Sequence, residues 1–397
     1  MTSTRWIVGI VLITAMLGGS AFDFHLPVVP QLPELIGASV VEAQWTLAGF
    51  SFGFAFSMLL FGALGDLYSR RAVLLGGLAI FVPASIICAF ATTPEWLIVG
   101  RVLQGSAAAA GNSLAPALIR SLYDEARSVR AMSIYSSLFG LVPVVAPALG
   151  AIMMAAFGWQ SIFWLLAAIG LLLVPAITVA VPADRPGSHD TGLWTIVRGY
   201  GDLFKYPRYL AYTGSQAMGF GGLITYVLSS PYLITAHLGG DTNAFLITQV
   251  IIITAYVLGA NGTGMLVHRF STTTFIFAGA LCQVVAGTLL LGYALIVSEP
   301  GWIAVALIVA LFDAGHGIRS GAGFTKAMDI VPTHAARASS LLNFMCVATA
   351  GGGAALVAPF LADQGVFPAS LATFVLGFGS LTLLLVARKL EAAHTSS

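Results

Sequence analysis

WIVGIVLITAMLGGSAFDFHLPVVP, Trp6 to Pro30, contains no lysine, arginine or glutamate and a single acid, Asp23, near its end. At about 1.5 Å per residue, a helix of this length matches the hydrocarbon core of a bilayer, about 30 Å thick. Runs of the same kind recur along the 397 residues, of which 58% are hydrophobic and only 8% charged. Mean hydropathy is +0.93. Soluble domains carry roughly 25% charged residues, so the chain reads as an all-α membrane protein. In lipid the backbone must satisfy its own hydrogen bonds, which makes such runs helices. Barrel strands would alternate in polarity and be about half as long.

Twelve such spans are expected, at about 6–30, 43–65, 72–92, 95–119, 129–156, 158–181, 207–234, 242–267, 272–297, 301–328, 336–361 and 366–388. Arginine and lysine stay on the cytoplasmic side of short loops. With both termini cytoplasmic, the basic residues outside the spans, from Arg5, Arg70 and Arg71 to Arg388 and Lys389, all fall inside. The outer loops then carry acids, among them Glu34, Glu95, Asp241 and Glu299. The first run exceeds the apolar core of a cleaved signal and is expected to be retained. Cys88, Cys282 and Cys346 all lie within spans and read as small packing residues.

The longest polar break, 182–206, divides the chain into two six-helix bundles, 1–181 and 207–397, and 193–204 within it reads as a short amphipathic helix. The halves look duplicated. Gly62 to Ser69 resembles Gly264 to Ser271 at an offset of 202, and Arg130 to Ser133 resembles Arg337 to Ser340 at 207. Glycines cluster within the spans, where small residues let helix backbones approach.

A charge at the centre of a span costs roughly 2.5 to 3.5 kcal/mol, so the few that occur are functional candidates. Asp23 and Arg101 sit about 10 and 9 Å below the outer ends of their spans at the helical rise. They are expected to pair, directly or through water or Gln104. In LFDAGHGIRSGAGF, Asp313, His316 and Arg319 step by three residues along one glycine-rich face and are read as lining a wet cavity, with a structural ion-pair cluster as the alternative. Tyr135, Phe139 and Tyr226 are further candidates for an apolar cavity wall.

Three motifs resemble those of the major facilitator superfamily. Gly62-x-x-x-Asp66-x-x-x-Arg70-Arg71 is similar to its loop signature between the second and third helices, departing at Leu67 and Ser69, where arginine and glycine are usual. Arg101-Val-Leu-Gln104-Gly105 is similar to its Arg-x-x-Gln-Gly motif. The run from Gly140 through Pro143 and Pro147 to Gly150 resembles the proline- and glycine-rich motif of its antiporters, with Ala146 in place of a common glycine. Asp23-Phe-His-Leu-Pro27-Val-Val-Pro30 is similar to a segment of the bicyclomycin and chloramphenicol-resistance branch, with Phe24 and His25 replacing methionine and tyrosine.

The resemblance implies two pseudo-symmetric bundles that open a central cavity to one side at a time, and proton-coupled export of small hydrophobic drugs or metabolites. It assigns proton coupling to Asp23, Arg101 and Gln104. Asp66, Arg70 and Arg71 would form a cytoplasmic latch, and the prolines and glycines of the fifth span would seal the cavity. The expected partners are protons, a small-molecule substrate and the lipid bilayer, with no nucleic acid. The chain would act as a monomer in the cell (inner) membrane with the proton gradient as its energy source, and no cofactor or metal. Import or exchange of a small charged metabolite is the alternative. An enzyme or scaffold is disfavoured: neither a His-Glu-x-x-His, a Gly-x-Ser-x-Gly nor a phosphate-binding loop occurs.

Overall fold

The structure is a computed structural model that describes residues 4–123, 125–183, 193–266, 268–331 and 335–395; a few side chains within these ranges, Asp66 among them, lie outside the description. The described residues form helices, short 3-10 turns and connecting loops, with no strand. Two compact units result, Met1–Val197 and Arg198–Ser397.

The first contains α1 (Thr4–Asp23), α2 (Leu32–Ile36), α3 (Val40–Leu67), α4 (Arg70–Ala89), α5 (Pro94–Leu122), α6 (Glu125–Phe157) and α7 (Gln160–Ala180). The helix α8 (Leu193–Leu203) crosses the division. The second contains α9 (Pro207–Ala236), α10 (Thr242–Leu266), α11 (Thr272–Ile296), α12 (Trp302–Ile330), α13 (Ala335–Val357), α14 (Leu361–Gln364) and α15 (Phe367–Thr395). The expected linker 182–206 lies partly outside the described residues.

Local chemistry sets the boundaries. After Asp23 the chain tightens into a 3-10 turn, Leu26–Gln31, because Pro27 and Pro30 lack the N–H that an α-helical ladder needs. Gly37, at φ 69°, ends α2 in a conformation that costs other residues a steric clash. A reciprocal cap then opens α3: the Glu42 N–H donates to Ser39 Oγ at 3.2 Å, and the Ser39 N–H donates to Glu42 Oε2 at 2.7 Å.

Eleven helices, or helix pairs such as Trp6–Ile36, are long and apolar enough to cross a membrane among the described residues. The expected span at 95–119 folds as a 29-residue helix, α5, which has the length. Arg101, Gln104 and Asn112 within it lower its apolarity, and those are the residues with the most specific partners.

The two units share one packing scheme. In the first, α5 packs on α1, α3 and α4, α1 also packs on α6 and α7, and α4 on α7. In the second, α12 packs on α9, α10 and α11, α9 also on α13 and α15, and α11 on α15. Glycine contacts fix the register. Gly53 meets the Val102 backbone and Gly105 the Phe50 backbone; Gly259 meets Ala314 and Gly317 meets Tyr256 in the same way. The numbers run 206 apart from Phe50 and Gly53 to Tyr256 and Gly259, and 212 apart from Val102 and Gly105 to Ala314 and Gly317. The offset of 202 read from the sequence after Gly62 is thus about one helical turn short of the register in which α3 and α10 correspond.

A charged clamp closes the second unit at one end. Glu391 of α15 accepts from Arg208 of α9 at 3.3 Å and from Lys326 of α12 at 3.1 Å.

At Gly317 an added side chain would displace the backbone of α10 rather than a flexible group. Gly317→Val should therefore lower the thermal midpoint of detergent-purified protein by on the order of 5 °C. Gly292→Ala, with open space at its Cβ position, should leave it unchanged or slightly raised.

Candidate functional site

Because Gly105 lets α5 touch the α3 backbone, Arg101, one turn earlier, reaches inward between α3 and α1. Its guanidinium is fully buried. Nη1 donates to the Ala21 carbonyl at 2.8 Å and to Gln104 Oε1 at 2.6 Å, and Nε donates to the Thr46 carbonyl at 3.3 Å. Its carbon stands 4.3 Å from the centroid of Phe50. Gln104 is held in turn by donating to Ser85 Oγ at 2.8 Å, and Ser85 donates to the Phe81 carbonyl. A buried cation loses several kcal/mol of hydration, and carbonyl dipoles with one aromatic face replace it here.

Asp23 is not among those partners. No ion pair or hydrogen bond joins its carboxylate to Arg101 or to Gln104 among the described residues. The direct or Gln104-mediated pair expected from equal depth is corrected: Arg101 takes the carbonyl of Ala21, two residues before the acid. Helix geometry explains this, because the free carbonyls at the end of α1 point along its axis toward the guanidinium. Asp23 is 8% exposed.

A second titratable group of this unit was missed. His25 is fully buried, with Nε2 2.8 Å from Thr46 Oγ1. Thr46 spends its single hydroxyl proton on the Ala43 carbonyl at 2.6 Å, so His25 must donate from Nε2, and Nδ1 is left buried without a partner. The segment Asp23-Phe-His25 carries the signal, though by sequence His25 is only a substitution in a family segment. Gly150 of α6 presses against the backbone of Phe24 between them. The proline- and glycine-rich run thereby supports the turn that carries Asp23; Pro143 and Pro147 lie within α6, two turns and one turn before Gly150.

In the second unit the face expected to carry three charges divides. Arg319 is fully buried and turned toward α9, α11 and α15. It donates to Gln283 Oε1 at 3.0 Å, to Ser215 Oγ at 2.6 Å and to Ser380 Oγ. Each of these serines donates its own proton to the other's carbonyl at 2.8 Å, leaving both oxygens free to accept from the arginine. Six residues along a helix turn a side chain by about 120°, which takes Arg319 out of the Asp313 face. Its reading as a cavity residue is corrected: Arg319 ties four helices together.

Asp313 and His316 remain, 4% and 8% exposed. The imidazole sits between Phe220 of α9 and Tyr256 of α10, with ring centroids at 5.6 and 5.9 Å. Neither residue has a hydrogen-bond partner among the described residues, and Asp313 Oδ1 and His316 Nδ1 are sealed from solvent.

The aromatic candidates separate. Tyr135 donates to Asn112 Oδ1 at 3.2 Å and lies 5.9 Å from Phe139, which is 41% exposed. Tyr226 is fully buried with an unpartnered hydroxyl, so it packs inside its unit. Gly62 lies in α3, and Arg70 and Arg71 open α4. The side chain of Asp66 is outside the described ones, so the latch expected from these residues lies outside the described residues. Among the described residues no group of three or more histidine, cysteine or acidic side chains is placed to hold a metal.

Residues 11–356 match the Major Facilitator Superfamily model, covering every element just described except the last two helices. The chain belongs to the Major Facilitator Superfamily. As a superfamily member it is a multi-pass membrane protein. It is 27% identical to the multidrug resistance protein MdtL of Klebsiella pneumoniae over 83% of this chain and 82% of that one. It is 25% identical to a bicyclomycin resistance protein homolog of Haemophilus influenzae over 88% of each. A crystal structure of a point mutant of the nucleoside transporter NupG shares the fold with a TM-score of 0.71 over 96% of this chain and 99% of that one, at 13% identity.

The Arg101 and Gln104 bond predicts strong coupling. In a double-mutant cycle of Arg101→Met and Gln104→Met, the stabilities measured by thermal unfolding in detergent should be non-additive by about 1 to 3 kcal/mol. The pair Arg319→Met with Gln104→Met, in different units, should be additive.

Proposed function

We propose that this protein is a proton-coupled antiporter that exports small hydrophobic drugs or metabolites from the cell by alternating access. One observation carries the proton assignment: Asp23 is buried near Arg101, whose Nε and Nη1 donate to the carbonyls of Thr46 and Ala21 and to Gln104, yet the acid is itself bonded to nothing among the described residues. An acid locked in an ion pair would be held in one charge state. An acid near a cation but not bonded to it can exchange its proton as water and substrate come and go. Arg101 and Gln104 then act as positioning residues. They fix the field around the acid without carrying the proton.

Export of drugs is supported by the relatives, which are named for multidrug and bicyclomycin resistance. We read α5 as a twelfth span beside the eleven apolar ones, with both termini cytoplasmic, and assign 1–181 and 207–397 to the two bundles and 182–206 to the connection. The protein would work as a monomer in the cell's inner membrane. One proton moving down 100 mV supplies about 2.3 kcal/mol, enough for roughly fortyfold accumulation of an uncharged substrate. No residue constellation for covalent chemistry is proposed.

In inverted membrane vesicles acidified by respiration, addition of a transported drug should raise the luminal pH as protons leave in exchange. Asp23→Asn should abolish that alkalinisation and active accumulation while leaving the protein folded. Full alkalinisation in Asp23→Asn would refute the assignment.

A further inference from the structure

Asp23 is bracketed along the chain by two residues that are tied, one directly and one through Thr46, to a single guanidinium. Two residues before it, the Ala21 carbonyl accepts from Arg101 Nη1 at 2.8 Å. Two residues after it, His25 Nε2 donates to Thr46 Oγ1 at 2.8 Å, and the carbonyl of the same threonine accepts from Arg101 Nε at 3.3 Å. Ala21, Arg101, Thr46 and His25 thus form a ring of contacts that closes through the segment carrying the acid. The charge of Arg101 acts on both Asp23 and His25.

That ring holds two buried polar atoms without a partner among the described residues, Arg101 Nη2 and His25 Nδ1. The first is a donor. The second is an acceptor, because Nε2 carries the proton of the imidazole. Nδ1 is attached to Cγ and so stays near the turn, while Nε2 reaches across to α3. Leaving a buried donor or acceptor unpaired costs about 1 to 3 kcal/mol. A carboxyl group answers the two in turn: ionised it only accepts, and protonated it gains an O–H to donate. Asp23, 8% exposed and unbonded among the described residues, lies between them in the chain.

The other titratable groups near the turn are Tyr135 of α6, bonded to Asn112; Glu42 of α3, bonded to Ser39; and Cys88 of α4, a buried thiol. Glu34 of α2 and Glu95 of α5 are exposed, and α7 has no titratable side chain. The charges at the opposite ends of α1, α3, α4, α5 and α6 lie at least roughly 25 Å away at the helical rise.

We infer that the two charge states of Asp23 have separate partners: its carboxylate accepts from Arg101 Nη2, and its neutral acid donates a hydrogen bond to His25 Nδ1. The proton stays on the carboxyl oxygen and the imidazole stays neutral, since a second cation beside Arg101 would be repelled where the dielectric is low. His25 is then a positioning residue that holds the proton-loaded acid. This rests on the proposed proton role of Asp23 and adds the group that receives its protonated form. Loading and unloading exchange one hydrogen bond for another.

The test is infrared difference spectroscopy, acid minus alkaline pH, on the purified full-length protein in detergent, with Asp23→Asn identifying the C=O band of the protonated Asp23 carboxyl. An acid whose O–H donates a hydrogen bond absorbs at lower frequency than one whose O–H is free. Two amides separate the nitrogens of His25, since asparagine places its amide near Nδ1 and glutamine near Nε2. His25→Gln keeps the bond to Thr46 and loses the acceptor, so the band should move to higher frequency. His25→Asn loses the bond to Thr46 and keeps an acceptor, so the band should stay at the wild-type position. Size-exclusion profiles matching the wild type show that each variant is folded. An unshifted band in His25→Gln, or a shift in His25→Asn alone, overturns the proposal and leaves the proton role of Asp23 standing. Absence of any Asp23 band in the wild type refutes that role itself, and this assignment with it.

Discussion

The need of a buried guanidinium for acceptors organises the first unit. Arg101 cannot shed its proton at any ordinary pH, and lipid offers it nothing. Its demands are met mainly by backbone carbonyls, those of Ala21 and Thr46, which places the end of α1 and the first third of α3 around α5. Only Gln104 contributes a side-chain acceptor, and Gln104 is anchored through Ser85 to α4. Four helices thus converge on one cation. Asp23, two residues beyond a carbonyl that is already engaged, is left without a hydrogen bond among the described residues.

The second unit solves the same problem with different atoms. Arg319 is surrounded by Gln283, Ser215 and Ser380, and the reciprocal bonds of the two serines aim both hydroxyl oxygens at it. Four helices, α9, α11, α12 and α15, are again drawn to one guanidinium. It lies on a different face of its helix from the position that corresponds to Arg101. Duplication preserved the packing of the backbones through glycine, while the polar content of equivalent positions changed independently.

Composition made the helical membrane class legible, because no soluble fold tolerates so little charge over such a length. The motifs made the family legible. Contacts were less so, for reasons visible at particular residues. Equal depth suggested that Asp23 and Arg101 meet, but depth is one coordinate, and the carbonyl of Ala21 competes for the same guanidinium. A step of three residues suggested one face for Asp313, His316 and Arg319, but two such steps already turn a side chain by about 120°. In the sequence His25 stands only as a substitution within a family segment, because a lone histidine carries no sign of its partner. Thr46, on another helix, supplies that partner. The low apolarity of α5 has the same origin as its importance, since the polar side chains that interrupt it are satisfied by neighbours the sequence alone does not place.

The contrast between Arg101 and Asp313 shows how far equivalent positions of the two units have diverged. With α5 and α12 running 212 apart, one position holds a cation ringed by acceptors in the first unit and an acid with no hydrogen-bond partner among the described residues in the second. Like charges repel strongly where the dielectric is low, so the first position is hostile to cations in a way the second is not. Glycine contacts that hold the two copies in register would then let each polar site evolve without disturbing the helix packing beneath it.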